Sequence, residues 1–530
     1  MAALKIDSHD SVVLIAYQIL KTYWLLLIPT ILLARFLYYR YASPLRHYPG
    51  PILASGSRAW KVWSVWSGHT EIDHIKIHEK YGAVVRIAPN ELSFASPIAA
   101  KEVLSAGKGF HKTDFYGVFP PPENPDIFTE TREAVHAAKK RYAANPYSMA
   151  TMHTMAHYIE DTERLFVKKL DAMCYSKDQY CNFGNWLHYF AFDVLGEIAF
   201  SRKFGFLESG YDLEKAIKTI DDMQWYDGII GQVPEWDFAF RRNPLWKLIP
   251  SLNTANFLIT RMALQEMDQR KKLGSKELGR KDLLSQLFAA HEKAPDIFKE
   301  GDVFAVAHGA IFAGSDSTAS TMQSFTHCVL RDPRIYANLR KELDEATVSG
   351  RLSEMPQWNE AQALPYFQAC LNEAMRLRPA VGLDITRLIP AEGAEVGGHK
   401  IPGGTRVALN GWVLHRNEEV FGIDSKSFRP ERWLDGDAKM MQRYMFQFGG
   451  GAHLCIGKNL ALLEMNKTLP LLFRDYEFQL LRPQEELKYH STFFVVHEGL
   501  EVRISKRTKM FILMEVARFT LIRRRPSPPT

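Results

Sequence analysis

Toward the C-terminal end of the chain, three consecutive glycines run into a single cysteine: Phe448-Gly449-Gly450-Gly451-Ala452-His453-Leu454-Cys455-Ile456-Gly457. Glycines in such a run let the backbone take positive φ and approach a flat ligand closely. The residues that follow, 458–472, carry a helical pattern, so Cys455 is expected at a helix N-terminus. There the free amides and the helix dipole favour a thiolate over a thiol. An anionic sulfur at the base of a glycine-lined turn suits the axial position of a haem iron. The competing reading of the stretch is a glycine-rich loop with a buried structural cysteine.

The rest of the composition narrows the class. With 530 residues the chain can bury a large core, and 46% apolar with 24% charged residues is ordinary for a globular protein. A formal net charge of +6, with no basic stripe interleaved with aromatics, argues against nucleic-acid binding. It fits an anionic membrane surface or an acidic protein partner. The five cysteines, Cys174, Cys181, Cys328, Cys370 and Cys455, match no disulfide framework, which points to a reducing, cytosol-facing location. Neither a CxxC pair nor an HExxH helix is present to hold zinc.

At the other end, residues 11–33 are apolar apart from Lys21, with Trp24, Leu25, Leu26, Leu27 and Ile28 in the densest part. About 20 apolar residues span a bilayer core as a helix. Lys21 can snorkel, and Pro29 kinks rather than forbids the helix. Arg35, Arg40, Arg46 and Lys61 follow, which orients the body to the cytosol by the positive-inside rule. Tyr48-Pro49-Gly50-Pro51 reads as a stiff hinge. Beyond it, apolar spacing near 3.6 marks helices at 151–170, 186–200, 281–291, 302–330 and 332–346. Strands are expected at 83–88 and 91–95 around Pro89-Asn90, at 406–409, and at 492–504 with a break at Glu498-Gly499. The expected architecture is mostly α with small β-sheets (α+β), as one large unit. The domains are an anchor at 1–40, a body at 41–509 and a C-terminal extension at 510–530.

The cysteine stretch resembles the signature of the cytochrome P-450 superfamily, Phe-x-x-Gly-x-Arg-x-Cys-x-Gly, matched at Phe448, Gly451, Cys455 and Gly457. It departs at His453, where the family carries a propionate-holding arginine. Three further motifs stand in the family's order. Ala313-Gly314-Ser315-Asp316-Ser317-Thr318 lies within a helical pattern; the resemblance gives Thr318 the role of the oxygen-activating threonine and Asp316 that of the neighbouring acid. Glu373 and Arg376 form an ExxR pair, and Arg432 of Pro430-Glu431-Arg432-Trp433 completes the family's structural triad. Arg387 matches a propionate arginine, and His136 with Lys140 matches a helix pair facing the propionates. The likeness covers roughly residues 44–503 and is similar to microsomal members of filamentous fungi, the pisatin demethylase-like group among them.

What the resemblance implies is a cytochrome P-450 fold with an N-terminal transmembrane helix, holding haem b (iron protoporphyrin IX) through Cys455. The implied activity is a monooxygenase that uses dioxygen and NADPH-derived electrons to oxidise a lipophilic small molecule in specialised metabolism. Electrons would come from a separate NADPH-cytochrome reductase, with cytochrome b5 as a further donor; Lys439, Arg443 and Lys458, near the cysteine loop in sequence, read equally as a basic docking face or as solvated surface charge. A single-pass location in the endoplasmic reticulum membrane, in contact with membrane lipid, follows from the same likeness. Substrate-facing segments fall by analogy at Tyr116, Phe119, Trp225, Tyr226, Phe312, Val381, Asp384, Phe493 and Phe494. Asp384 either meets a polar group of the substrate or bonds backbone amides. The alternatives are a haem-thiolate isomerase or dehydratase, a demethylase that detoxifies an aromatic compound, and a non-catalytic haem carrier.

Overall fold

The computed structural model describes residues 8–119, 124–175, 180–243, 245, 258–273 and 281–508. The extension expected at 510–530 lies outside them. Each helix and strand anticipated from periodicity is present, with ends moved a few residues by caps. Ser148 caps Met149–Cys174, Asn182 caps Phe183–Phe200 and Asp282 caps Leu283–Lys293. Asp332, followed by Pro333 at the first helical position, starts Pro333–Val348.

The body is built around the helix Glu300–Arg331. Val303, Ala307, Ile311, Ala319, Met322, Phe325 and Val329 of this central helix are buried in the main hydrophobic core. Its most extensive neighbour is Phe183–Phe200, buried nearly all round, as a helix in the middle of a large core must be. Gly314 belongs to this contact: a Cβ there would lie 3.0 Å from Leu195. The mid-helix glycine therefore sets how closely two helices pack, and the helix continues unbroken through it.

A second core holds the main sheet, whose strands run in the order Val84–Ala88, Glu91–Phe94, Arg406–Leu409, Ile385–Leu388, His111–Lys112. Glu91–Phe94 and Arg406–Leu409 pair in parallel and the other pairs are antiparallel. One consequence matters for the site: in the antiparallel register Lys112 stands opposite Arg387.

Ser8–Leu37 is one helix, and 21–42 is long and apolar enough to cross a membrane. Pro29 lies inside it, and the Thr30 hydroxyl donates to the Leu26 carbonyl at 2.7 Å. Arg35 and Arg40 lie against the rings of Tyr39 and Tyr41, a pairing suited to a membrane interface. The hinge is fixed to the sheet: Arg86 N–H donates to the Pro49 carbonyl at 2.7 Å, and its guanidinium donates to the Tyr39 carbonyl at 3.0 Å. A Cβ on Gly50 would fall 2.2 Å from the Arg86 carbonyl oxygen, so the approach requires glycine. Lys61, expected among the charges flanking the anchor, is instead buried against Glu91 and Asp384.

Candidate active site

The loop around Cys455 is held from behind. Gly451 has φ +57, and a Cβ there would collide with the Leu104 carbonyl; Gly450 faces the Leu104 side chain. These two glycines thus let the loop lie against the helix Pro97–Leu104. Cys455 N–H donates to the Phe448 carbonyl at 2.8 Å, closing the turn. Lys458–Asp475 starts directly after Gly457, and amides of Gly457 and Lys458 point at the sulfur and favour its thiolate. Burial still pushes the Cys455 thiol up, although the side chain counts as exposed. A side chain that lies deep in the fold and still has open surface lines an internal slot. The other four cysteines are buried.

A matching opening lies along one face of the central helix. Ala313 is exposed and Ser317, one turn on, is half-buried, in a helix otherwise packed on most sides. The helix after Cys455 packs against this one. The Ser317 hydroxyl donates to the Ala313 carbonyl at 2.6 Å, loosening the backbone bond at that turn. Thr318 is only 2% exposed. The hydroxyl at the opening is therefore Ser317 rather than Thr318, a difference of about 100° around the helix. Asp316 is buried, its carboxylate accepting from His188 Nε2 at 2.7 Å and Gln224 Nε2 at 2.8 Å.

Beside the cysteine loop, basic side chains converge without a matching number of acids. Arg387 and Lys112 are cross-strand neighbours, and the Lys112 ammonium donates to the carbonyls of Ile127 and Phe128, both at 2.8 Å. Burial and Arg387 bring the Lys112 ammonium down to about 7. The rings of His136 and His453 lie 4.3 Å apart, and each has a buried Nδ1 without a partner. Burial and the surrounding cations lower His136 to about 3 and His453 to about 2. Glu133 lies 3.1 Å from His453 Nε2 and would favour the imidazolium. Burial opposes it and prevails while no further anion is near. Lys140 donates to the carbonyls of Ala452 and Leu454, both at 2.7 Å. Glu133, His136 and His453 have the spacing of a metal triad, yet Lys112, Lys140 and Arg387 make the field one for an anion. Unpartnered ring nitrogens, opposed cations and an enclosed sulfur fit a haem with two carboxylates.

Glu373 accepts five hydrogen bonds: two from Arg376 at 2.8 Å and one each from Arg432 Nε, Arg429 N–H and Trp433 Nε1 at 2.9 Å. Arg376 also donates to the carbonyls of His415, Ser425 and Ser427. His415, held neutral by burial and Arg376 at about 3, contacts the Arg376 carbonyl through Nδ1 at 3.2 Å. Its Nε2 accepts from Phe446 N–H at 2.8 Å. His415 thus joins the triad to the cysteine loop, a link the motifs did not signal.

Of the expected substrate positions, Tyr116, Val381 and Phe493 come together with Phe115, Leu383, Phe119 and Phe494 in one apolar cluster. Tyr116 also receives a hydrogen bond from Arg387 at 3.0 Å. Phe312 packs instead on His308 and the main core. Asp384 is taken up internally, accepting from Asn410 at 3.1 Å with His74 at 3.3 Å and Lys61 at 3.7 Å. It is a member of a buried ion cluster. Trp225 stacks on His490, and the Tyr226 hydroxyl donates to Asp237. Lys439 and Arg443 are exposed, whereas Lys458 lies over the Phe448 ring.

The sequence model of the cytochrome P450 family matches residues 57–502. Similar curated proteins include cytochrome P450 monooxygenase cicH of Emericella nidulans, 36% identical over 89% of this chain and 95% of its own length. Cytochrome P450 monooxygenase gsfF of Penicillium aethiopicum is 33% identical over 90% of this chain and 96% of its own. Pisatin demethylase of Fusarium vanettenii is 30% identical over 87% and 89% respectively.

Proposed function

The chain belongs to the cytochrome P450 family, and from that premise we propose that Cys455 ligates haem in a membrane-anchored monooxygenase that oxidises a lipophilic small molecule. The observation that carries the reading is the enclosed sulfur of Cys455, reached by two backbone amides and flanked by a carboxylate-sized cluster of cations. Thiolate-bound haem supplies the activation of dioxygen; the protein supplies placement, protons and exclusion of water.

In this reading His136, His453, Lys140 and Arg387 would hold the two propionates, and the buried Lys112 cation, itself bonded to backbone carbonyls, would add to the positive field. Anions beside the two Nδ1 atoms favour imidazolium at His453, which then donates from both ring nitrogens. Asp316 and the Ser317 hydroxyl move protons at the opening of the central helix. The aromatic cluster of Phe115, Tyr116, Phe119 and Phe493 presents an apolar wall to the substrate, suited to a rigid hydrophobic skeleton such as specialised fungal metabolites carry. The relatives named as monooxygenases and as a demethylase support this class. Electrons come from a membrane-bound NADPH-dependent reductase, for which exposed Lys439 and Arg443 offer a basic face, and the N-terminal helix places the enzyme in the endoplasmic reticulum membrane.

The test is reconstitution with a reductase, NADPH and a panel of aromatic and terpenoid compounds under 18O-labelled dioxygen. One labelled oxygen atom in the product, dependent on NADPH, is expected. Conversion without NADPH or reductase would support an isomerase or dehydratase instead.

A further inference from the structure

Asp316 is not free to turn. It is 3% exposed, and each oxygen is held by a different helix: Oδ1 by His188 of Phe183–Phe200, Oδ2 by Gln224 of Ala216–Ile230. Gln224 is itself a bridge. Its Oε1 accepts the backbone N–H of Phe494 at 2.9 Å, and at 5% exposure its amide has no water to turn to. Phe494 adjoins the wall of the apolar cluster. The Phe493 ring lies 4.9 Å from Phe494, 5.1 Å from Phe119 and 5.5 Å from Phe128, and Val381 bridges to Phe494 from the other side. A single side-chain amide therefore joins the acid of the central helix to the aromatic wall.

The geometry restricts what Asp316 can do. Ala313 and Ser317 mark the helix face at the opening, and Asp316 lies about 100° away from Ser317, toward the two helices that hold it. Before its carboxylate can serve a group at the opening, at least one of the two bonds must break. His188 is the partner that reaches water: its side chain is 13% exposed, while the Gln224 amide is enclosed. An imidazole can take a proton at one nitrogen and give one from the other.

We propose that Gln224 is a latch through which a ligand seated against the aromatic wall controls proton supply from Asp316, resting on the monooxygenase reading above. With the wall closed, Gln224 keeps the carboxylate turned from the opening. A ligand that displaces the Phe493–Phe494 segment draws the Phe494 amide, and with it Gln224, away from Asp316. The freed carboxylate then carries to the opening a proton received from His188 Nε2, which is replaced at Nδ1 from water. Proton-dependent consumption of NADPH is thereby suppressed until a ligand displaces the wall.

The test uses the full-length holoenzyme with reductase and no substrate, comparing wild type with Gln224→Leu and Gln224→Asn. The asparagine is one methylene too short to span Asp316 and Phe494 and keeps a polar group in place should the leucine variant not fold. Ligand-free NADPH oxidation and hydrogen peroxide release should rise about tenfold, the worth of one hydrogen bond to a charged acceptor. Their solvent isotope effect should fall. Amide exchange in a peptide containing Phe494 should quicken in both variants. Faster exchange with unchanged ligand-free turnover would overturn the latch and leave only a structural bond; unchanged exchange would overturn the bridge itself. The thiolate-type carbon monoxide band separates the two readings: its absence from wild type would refute the haem assignment and the latch with it, whereas its presence in wild type and variants with unchanged turnover would refute the latch alone.

Discussion

Glu373→Gln removes one charge and almost no volume from a place where five donors converge on two oxygens. Oε1 accepts from Arg376, Arg432 and Arg429 N–H, and Oε2 from Arg376 Nε and Trp433 Nε1. The glutamine amide nitrogen would turn to the Oε2 side, where it loses two acceptor contacts and meets two donors. Arg376, fully buried, and Arg432, 2% exposed, then lose the carboxylate they share. Breaking a buried pair by removing one partner costs about 3–5 kcal/mol, a large part of a total of about 5–15 kcal/mol. Trp433→Phe, which gives up a single bond to the same carboxylate, should cost about 1.5–3 kcal/mol. Urea unfolding followed by circular dichroism, with haem content measured on the same preparations, gives both values. Expected is the order Glu373→Gln worse than Trp433→Phe, with little haem retained by the first. A Glu373→Gln protein within about 1 kcal/mol of wild type and fully loaded with haem would refute the assignment of this cluster as the clamp behind the cysteine loop.

Ser317→Ala should raise the peroxide released per NADPH severalfold, whereas Thr318→Ala should leave that ratio near wild type; the reverse order would return the role to Thr318. A pH effect is expected from the buried carboxylates Glu163 and Glu464, whose Oε2 and Oε1 have no partner. Burial pushes Glu163 up to about 7, and burial with the Glu163 charge raises Glu464. Acids with a raised folded-state value hold more protons when folded, so their stabilisation is complete below the unfolded value near 4.3 and is lost as pH climbs through the folded value, which for Glu163 is about 7. Glu464→Leu should therefore gain of the order of 1–3 kcal/mol at pH 8 and less at pH 5, read from thermal midpoints at the two pH values. A larger gain at pH 5 would contradict the sign.

The parts of this architecture legible in the sequence are those written in short spacing. Helix periods, caps such as Asn182 and Asp282, the cysteine turn and the ExxR pair all lie within a few residues. What was not legible depends on chain paths that no local pattern encodes. His415 and Trp433 join the triad only because a long segment folds back over the helix Pro365–Leu377. Asp384 looks like a polar member of an apolar pocket until Lys61 and His74 arrive from far upstream. Two adjacent hydroxyls, Ser317 and Thr318, are equivalent in a motif but point about 100° apart on a helix, and only packing distinguishes them. Nor does any local pattern reveal which protein neighbour a glycine admits: Gly314 lies against Leu195 and Gly451 against Leu104.

The most direct measurement is the absorption spectrum of the purified, reduced protein under carbon monoxide, taken for wild type and Cys455→Ala. A red-shifted band characteristic of sulfur-ligated haem in wild type, missing from Cys455→Ala with the other four cysteines intact, is the expected result. A folded wild-type protein without that band, or a Cys455→Ala protein that keeps it, would contradict the assignment of Cys455 as the iron ligand.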